Sequence, residues 1–401
     1  MGTESSAPRQ SLEDTPPHTY GHSAVRTRMS VLVTEGGRRI PELEFSPTLF
    51  VDRTTVIYGP SKTGKTCFVK NIMRAVSGHI GQVLVVAPSE PSNRSYENFV
   101  DPLLIHYRLH LPDPTDRKDS ETKAATRFLE RVWKRQEMMA AIYSRANEPK
   151  TLRGLYGRLT HAERKDNDRY LASLERKRRR VVDDVRRQCA REPGRRDEKV
   201  KEIDDKFTKM VVLLYKKFLT PMVETLYARK DLTDDERHAL HYLHFNPRLL
   251  LIFDDCAAQL KPFFNKELFR KIFYMNRHSY ITVIICCQDD TDLPTNLRKN
   301  AFVSVFTEPI VAVSNFERAS NQFPKSIRAV VAEICPEVFV GYRKLCFIRE
   351  DDRRQHLYHA TGVFPRPFAF GSDALEELCG DLRVKGAVMD RGNPYFTHFA
   401  V

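Results

Sequence analysis

Thr54-Thr55-Val56-Ile57-Tyr58-Gly59-Pro60-Ser61-Lys62-Thr63-Gly64-Lys65-Thr66 decides how the rest of the chain is read. Five strand-forming residues run into G-x-x-x-x-G-K-T, and a helix-like stretch, Cys67 to Met73, follows. That is the setting a phosphate-binding loop requires, a strand, a tight turn and a helix. Gly59 and Gly64 let the backbone turn so that the N–H groups of residues 59–66 point inward at phosphate oxygens. The helix opening near Lys65 adds the positive end of its dipole. Lys65 is read as the charge on the β- and γ-phosphates, and the Thr66 hydroxyl as a Mg²⁺ ligand. Gly59, Pro60, Ser61, Lys62, Thr63, Gly64, Lys65 and Thr66 together form the expected nucleotide cradle.

The second half of such a site is a carboxylate at the end of another buried strand. Leu249-Leu250-Leu251-Ile252-Phe253-Asp254-Asp255 supplies it. A continuous apolar run reads as a strand covered on both faces, and ligands of open α/β sheets bind at the carboxyl ends of their strands. Asp254 is expected to hold Mg²⁺ through water, and Asp255 to orient or deprotonate the attacking water. A third buried strand, Ile281 to Cys287, ends in Gln288. Gln288 would reach the γ-phosphate or the water if that strand neighbours the Asp254 strand. We therefore expect a mostly parallel sheet with the phosphate-loop strand central and the Gln288 strand between it and the Asp254 strand. These motifs together describe an NTP hydrolase that uses Mg²⁺.

The 401 residues carry a net charge of +13, which points to an anionic partner, nucleic acid first and a membrane surface second. No apolar run approaches the roughly 18 residues of a membrane helix, and no signal peptide opens the chain. The eight cysteines show neither C-x-x-C pairs nor zinc spacing and read as reduced thiols of an intracellular protein. Residues 1–28, rich in Ser, Thr, Pro and His, are expected to be disordered. Met1-Gly2-Thr3-Glu4-Ser5-Ser6 fits an N-myristoylation pattern, and so a membrane contact.

Residues 29–100 form the first part of the nucleotide-binding core and 247–363 the second, with 364–401 a peripheral C-terminal segment. Residues 101–246 differ: they are long, charged and helix-like, and read as an insertion between two core strands. Ile203, Phe207, Met210, Leu214 and Phe218 recur at helical steps, and Thr233 with Glu236 forms a capping box. Arg176-Lys177-Arg178-Arg179-Arg180 is a compact basic run. It reads as a contact to DNA phosphates, as a nuclear import signal, or as a solvated helix face balanced by acids such as Asp183, Asp184 and Glu192.

The order of motifs resembles a known family. The loop Gly59–Thr66, the double acid Asp254-Asp255 followed by Cys256, and the strand ending in Gln288-Asp289 are followed by Leu293-Pro294 and Leu297-Arg298-Lys299-Asn300-Ala301. Over roughly residues 45–100 and 245–350 this resembles the genome-packaging ATPases of poxviruses and other large DNA viruses, within the FtsK–HerA superfamily. The resemblance implies an α/β P-loop NTPase fold of the RecA/FtsK–HerA type, with the helical basic insertion added to it, and ATP as its nucleotide. It implies a homo-oligomeric ring, a hexamer by preference, that threads double-stranded DNA into a capsid and so contacts capsid proteins. It places the protein inside the host cell at the site of virus assembly, cytoplasm or nucleus, with the virion as a further location. It also implies an Arg supplied by a neighbouring subunit, for which Arg298 is the first choice and Arg277 the second. The competing readings are a helicase or DNA-end-processing ATPase of the same superfamily, a nucleotide-gated capsid or membrane scaffold, and a small-molecule kinase.

Overall fold

The computed structural model describes residues 30–110, 120–349 and 356–384; the N-terminal tail and Gly2 lie outside them. A small antiparallel pair, β1 (Val31–Val33) and β2 (Arg39–Pro41), precedes the main sheet. The main sheet takes β3 (Thr54–Tyr58), β4 (Gln82–Val86), β5 (Ile105–His106), β6 (Leu249–Asp254), β7 (Ile281–Cys287), β8 (Val303–Phe306), β9 (Arg343–Ile348) and β10 (Leu357–Thr361) in the order β10-β9-β8-β3-β7-β6-β4-β5. Its pairings from β5 through β8 are parallel, and β9 and β10 add an antiparallel edge. Every residue of β3, β4, β6, β7 and β8 is buried, as expected of mostly apolar strands in a sheet covered by helices on both faces. The phosphate-loop strand β3 is central, and β7 separates it from β6, as the sequence predicts. This is the mostly parallel α/β sheet of a P-loop NTPase.

Register decides where the chemistry falls. Tyr58 is level with Cys287 and with Phe306, and Asp254 is level with Cys286. The residues that follow, Gly59, Gln288, Asp255 and Thr307, therefore emerge at one height along one edge. Helix α1 (Lys65–Val76) packs Phe68, Val69, Ile72, Met73 and Val76 into the core from that edge.

The charged central segment is not all insertion. Helix α2 (Glu121–Ala146) buries Ala124, Ala125, Phe128, Leu129, Val132 and Trp133 at steps of one, three and four, and from Ala125 on these residues belong to the same core as the sheet. Past its midpoint the buried Gln136 donates to the carbonyls of Pro247 (2.9 Å) and Ser279 (3.2 Å), just before β6 and β7 begin. The chain thus crosses from the phosphate edge of the sheet to the opposite edge before it leaves the core. The boundary drawn at residue 101 is corrected on that ground: charge on the outer face of α2 hides an apolar inner face. Helices α3 (Pro149–Gly157), α4 (His161–Gln188), α5 (Pro193–Leu219) and α6 (Asp234–His241) then gather around a second core of Leu152, Leu155, Tyr156, Tyr215, Leu219, Leu226 and Leu240. The capping box of Thr233 and Glu236 opens α6 as read. In α5 the buried positions are Tyr215 and Leu219, while Met210 of the expected apolar face is exposed, because Phe207, Val211 and Tyr215 are the residues that share a cavity with Leu171 and Leu174 of α4.

The two cores are separate, so damage to one should spare the other. Leu219→Ala removes a fully buried side chain of the second core and should cost about 2–5 kcal/mol there. Chemical denaturation should show the loss, while titration with ATP below the transition should give the wild-type affinity.

Candidate active site

The loop between β3 and α1 is shaped by backbone that most residues avoid. Gly64 (φ +89°) and Lys62 (φ +66°) both take left-handed conformations. The amides of Ser61, Lys62, Thr63 and Gly64 find no acceptor among the described residues. Four orphaned N–H groups in one turn, at the N-terminus of a 12-residue helix, form a concave anion cradle. The buried Lys65 amine donates to the carbonyls of Gly59 (2.6 Å) and Pro60 (2.8 Å), across the mouth of the loop. At Gly59 the fit is tight for a different reason: a Cβ there would stand 1.8 Å from Thr307 Oγ1. Thr307 follows β8, its N–H bonded to Tyr58 O (2.9 Å) and its hydroxyl 2.5 Å from that of Thr63. Thr307 thus walls the loop from the neighbouring strand.

On the other side stand the two acids. Thr66 Oγ1 donates to Asp254 Oδ2 at 3.0 Å, so the two expected Mg²⁺ ligands are in contact. The buried Tyr96 hydroxyl donates to the same oxygen at 2.7 Å. A hydrogen bond to an ionised acceptor stabilises by about 1.5–3 kcal/mol, enough to fix the carboxylate's rotamer. Tyr96 itself is placed by Glu90, buried at 1% exposure, which accepts the N–H groups of Ser95, Tyr96 and Glu97. Burial pushes the Glu90 carboxyl's pKa upward, against those three N–H groups. The donor set of one hydroxyl and one carboxylate beside a phosphate cradle fits Mg²⁺, whose remaining positions go to phosphate oxygens and water.

Asp255 is exposed and holds φ +57°, a strained backbone for a non-glycine residue. Its Oδ1 accepts from Gln288 Nε2 at 2.8 Å. The strand order predicted this meeting, and the pair faces the same edge as the loop. Gln288 is held in turn by Asp292, whose carboxylate accepts the N–H groups of Gln288 (2.9 Å) and Asp289 (3.0 Å).

Arg298 is a correction. It is 8% exposed, and its guanidinium donates to Asp290 O (2.7 Å), Leu293 O (3.0 Å), Thr295 Oγ1 (3.0 Å) and Asn321 Oδ1 (3.2 Å). A guanidinium buried in its own chain, with four of its five N–H donors bonded there, is not placed to reach another subunit's site. It braces the turn after Gln288, aided by Arg318, which grips the buried Asp290 with two bonds of 2.9 Å. Arg277 is exposed, but it precedes β7 at the opposite edge, in a polar cavity of about 590 Å³ with Asp52, Arg53, Arg270 and His278. It has no access to the site of its own chain.

The basic run on α4 is paired in part with acids of the same helical hairpin. Arg178 bonds Glu175 (2.9 Å) and Asp204 (2.5 Å), Arg179 bonds Glu175 (3.1 Å), and Arg187 bonds Asp184 (2.6 Å). Arg176, Lys177 and Arg180 are exposed and form no ion pair among the described residues. All eight cysteines are unpaired and buried. Burial raises the thiols of Cys256, Cys286 and Cys287, beneath the site, well above their ordinary pKa, which leaves them inert.

Tyr96, Thr307 and Lys344 adjoin the site without any signal in the motifs. Lys344 is the second residue of β9, is 2% exposed, and lies with its amine 3.2 Å from where a Cβ of Gly64 would be. The strand direction alone carries a hint: β9 runs antiparallel to β8, so its first residues fall at the phosphate edge.

No family model matches the chain. It is 49% identical over 371 residues, covering 92% of this chain and 98% of the relative, to the uncharacterized protein B354L of African swine fever virus, with the same values for an isolate from a Malawi tick and one from a Kenyan pig. Among solved structures it matches VirB4 of Thermoanaerobacter pseudethanolicus, at 10% identity and a TM-score of 0.31, over 77% of this chain and 88% of that one. It also matches the cytoplasmic domain of the type VII secretion ATPase EccC of Thermomonospora curvata, at 12% identity and a TM-score of 0.31, over 82% of this chain and 27% of that one. Likeness at that level adds nothing to what strand order and register already fix.

The contact between Gly59 and Thr307 gives a sharp test. Gly59→Ala puts a methyl group where Thr307 Oγ1 stands and should abolish ATP binding in calorimetric titration, with the far-ultraviolet dichroism unchanged. The double variant Gly59→Ala, Thr307→Ala should recover part of the affinity.

Proposed function

The chain belongs to the family of the African swine fever virus protein B354L, and we propose that it is a Mg²⁺-dependent ATPase that drives double-stranded DNA into a viral capsid. The observation that carries the reading is the convergence, on three adjacent strands, of the orphaned amides of Ser61–Gly64, the Thr66–Asp254 pair and the Asp255–Gln288 pair. A protein that only binds nucleotide needs the first two. The third, an exposed acid bonded to an amide at the mouth of the cradle, is what a water nucleophile requires.

The roles follow from position. The amides of residues 61–64 and Lys65 hold the β- and γ-phosphates. Thr66 and Asp254 hold Mg²⁺, which when bound neutralises phosphate charge. Asp255 takes the proton of the attacking water, and Gln288, fixed by Asp292, aims that water at the γ-phosphorus. Hydrolysis removes the γ-phosphate contacts of Lys65 and Gln288, and the turn that Arg298 and Arg318 brace carries the change outward. Arg277, remote from its own site, is the guanidinium we assign to a neighbouring subunit's site in a homo-oligomeric ring, a hexamer by preference. Arg176, Lys177 and Arg180 are the charges left for DNA phosphates, and such contacts carry no base readout. Capsid protein as partner and the virus assembly site as location belong to the same reading.

One observation favours a second reading. Most arginines of the α4–α5 hairpin are paired within it, which suits a nucleotide-gated scaffold whose arm docks protein.

Steady-state ATP hydrolysis with and without linear duplex DNA separates the two. The motor reading expects stimulation by DNA, and Asp255→Asn should lower the stimulated rate by roughly 10²–10⁴-fold while ADP still binds. The affinity for DNA should also fall steeply between about 50 and 200 mM salt. Hydrolysis indifferent to DNA would favour the scaffold.

A further inference from the structure

Lys344 is unusual in what surrounds it. It is 2% exposed, yet its amine has one bond, to Tyr342 O at 2.5 Å, and no carboxylate forms an ion pair with it among the described residues. An ammonium carries three donors, and a buried one without a counter-charge is costly. Burial accordingly pushes its pKa down, with only the thiols of Cys67 and Cys346 acting the other way. Its neighbours are loop and helix start. Besides its approach to Gly64, Lys344 borders Gly362, where a Cβ would lie 3.6 Å from both Lys344 Cε and Cys67 Sγ. Lys344 therefore lies against the N-terminal turn of α1, on the side away from Gly59 and Pro60, where the Lys65 amine is bonded.

The surface above it is as unusual. Val340, Tyr342, Val363 and Phe364 are 59%, 77%, 63% and 83% exposed. They belong to one place, because Arg343 pairs with Thr361 at the open end of the β9–β10 ladder, and the chain on both sides continues past it. Tyr342 holds φ +62° directly after Gly341 at φ +65°, so an aromatic side chain is kept in solvent on strained backbone. Asn71 of α1 fixes the second side by donating to Val363 O at 2.7 Å. A small apolar shelf thus rises beside the phosphate cradle, with a buried amine between the two.

We propose that this is the outer half of the nucleotide site: Lys344 binds the α- and β-phosphates of a nucleoside di- or triphosphate opposite Lys65, and Tyr342 and Phe364 receive the base. The assignment rests on the reading of the loop as a nucleotide cradle. It gives Lys344 the counter-charge that the protein itself withholds, and it gives the exposed rings an aromatic partner.

The test is calorimetric titration of the full-length protein with ADP and with pyrophosphate. Lys344→Met keeps the apolar stem and removes the charge. It should weaken both ligands by roughly ten- to a hundredfold, while the Tm without ligand stays level or rises, since an uncompensated buried amine is gone. Tyr342→Ala with Phe364→Ala changes only exposed side chains, so its folding is not at stake; it should weaken ADP and leave pyrophosphate unchanged. Wild-type affinity for ADP in K344M overturns the phosphate assignment, and wild-type affinity for ADP in the double variant overturns the base shelf. Failure of the wild-type protein to bind ADP or pyrophosphate would instead overturn the nucleotide reading of the loop, and this proposal with it.

Discussion

Five buried residues in β3, six in β6 and seven in β7 leave no face on which these strands could slip. A shift of one residue between β7 and β6 would turn side chains packed above the sheet to the side below it and move Gln288 away from Asp255 by one strand step, about 3.3 Å. The hydrogen bond between them, at 2.8 Å, has no tolerance for that. The reacting groups are thus set by the packing of Val, Ile, Leu and Phe side chains that never touch a ligand. Everything polar at the edge is a consequence of where three apolar strands stop.

Those stops are then defended by charge. Asp254 is buried and bound by Thr66 and Tyr96; Asp290 is buried and gripped by Arg318; Arg298 is buried and spent on carbonyls. Each is a charge withdrawn from water and held by several hydrogen bonds from its own chain. Losing one partner leaves the other buried and unpaired, so the supports of the site are coupled to its stability. Lys344 is the exception in this edge, a buried amine with a single hydrogen bond among the described residues.

What the sequence made legible was what lies at the ends of apolar runs. The loop, the double acid and Gln288 each follow such a run, and the strand order that joins them could be argued from chemistry before any coordinates. What it hid was burial of charged residues. Arg298 reads as an exposed basic residue before a strand, and only tertiary contacts show four acceptors around it. Lys344 lies in Tyr342-Arg343-Lys344-Leu345, a pattern with no periodic signal, and Tyr96 lies in a loop after β4 whose path depends on Glu90. The outer charges of α2 concealed its apolar stripe for the same reason: composition averages over faces that packing separates.

The position of the helical module relative to the site follows from connectivity. It joins the core at two points, the end of α2 and the segment leading into β6. Helix α2 has 26 residues, about 39 Å of rigid rod, running from the phosphate edge to the opposite one. Strand β6 makes the return journey: it leaves the module side at Leu249 and ends in Asp254, with Asp255 next. A displacement of those two acids is therefore a displacement of the strand that tethers the module, across six residues that are buried throughout and too well packed to absorb it. The arm needs no contact with the nucleotide to respond to it, because one of its two attachments is the strand that carries the site's acids.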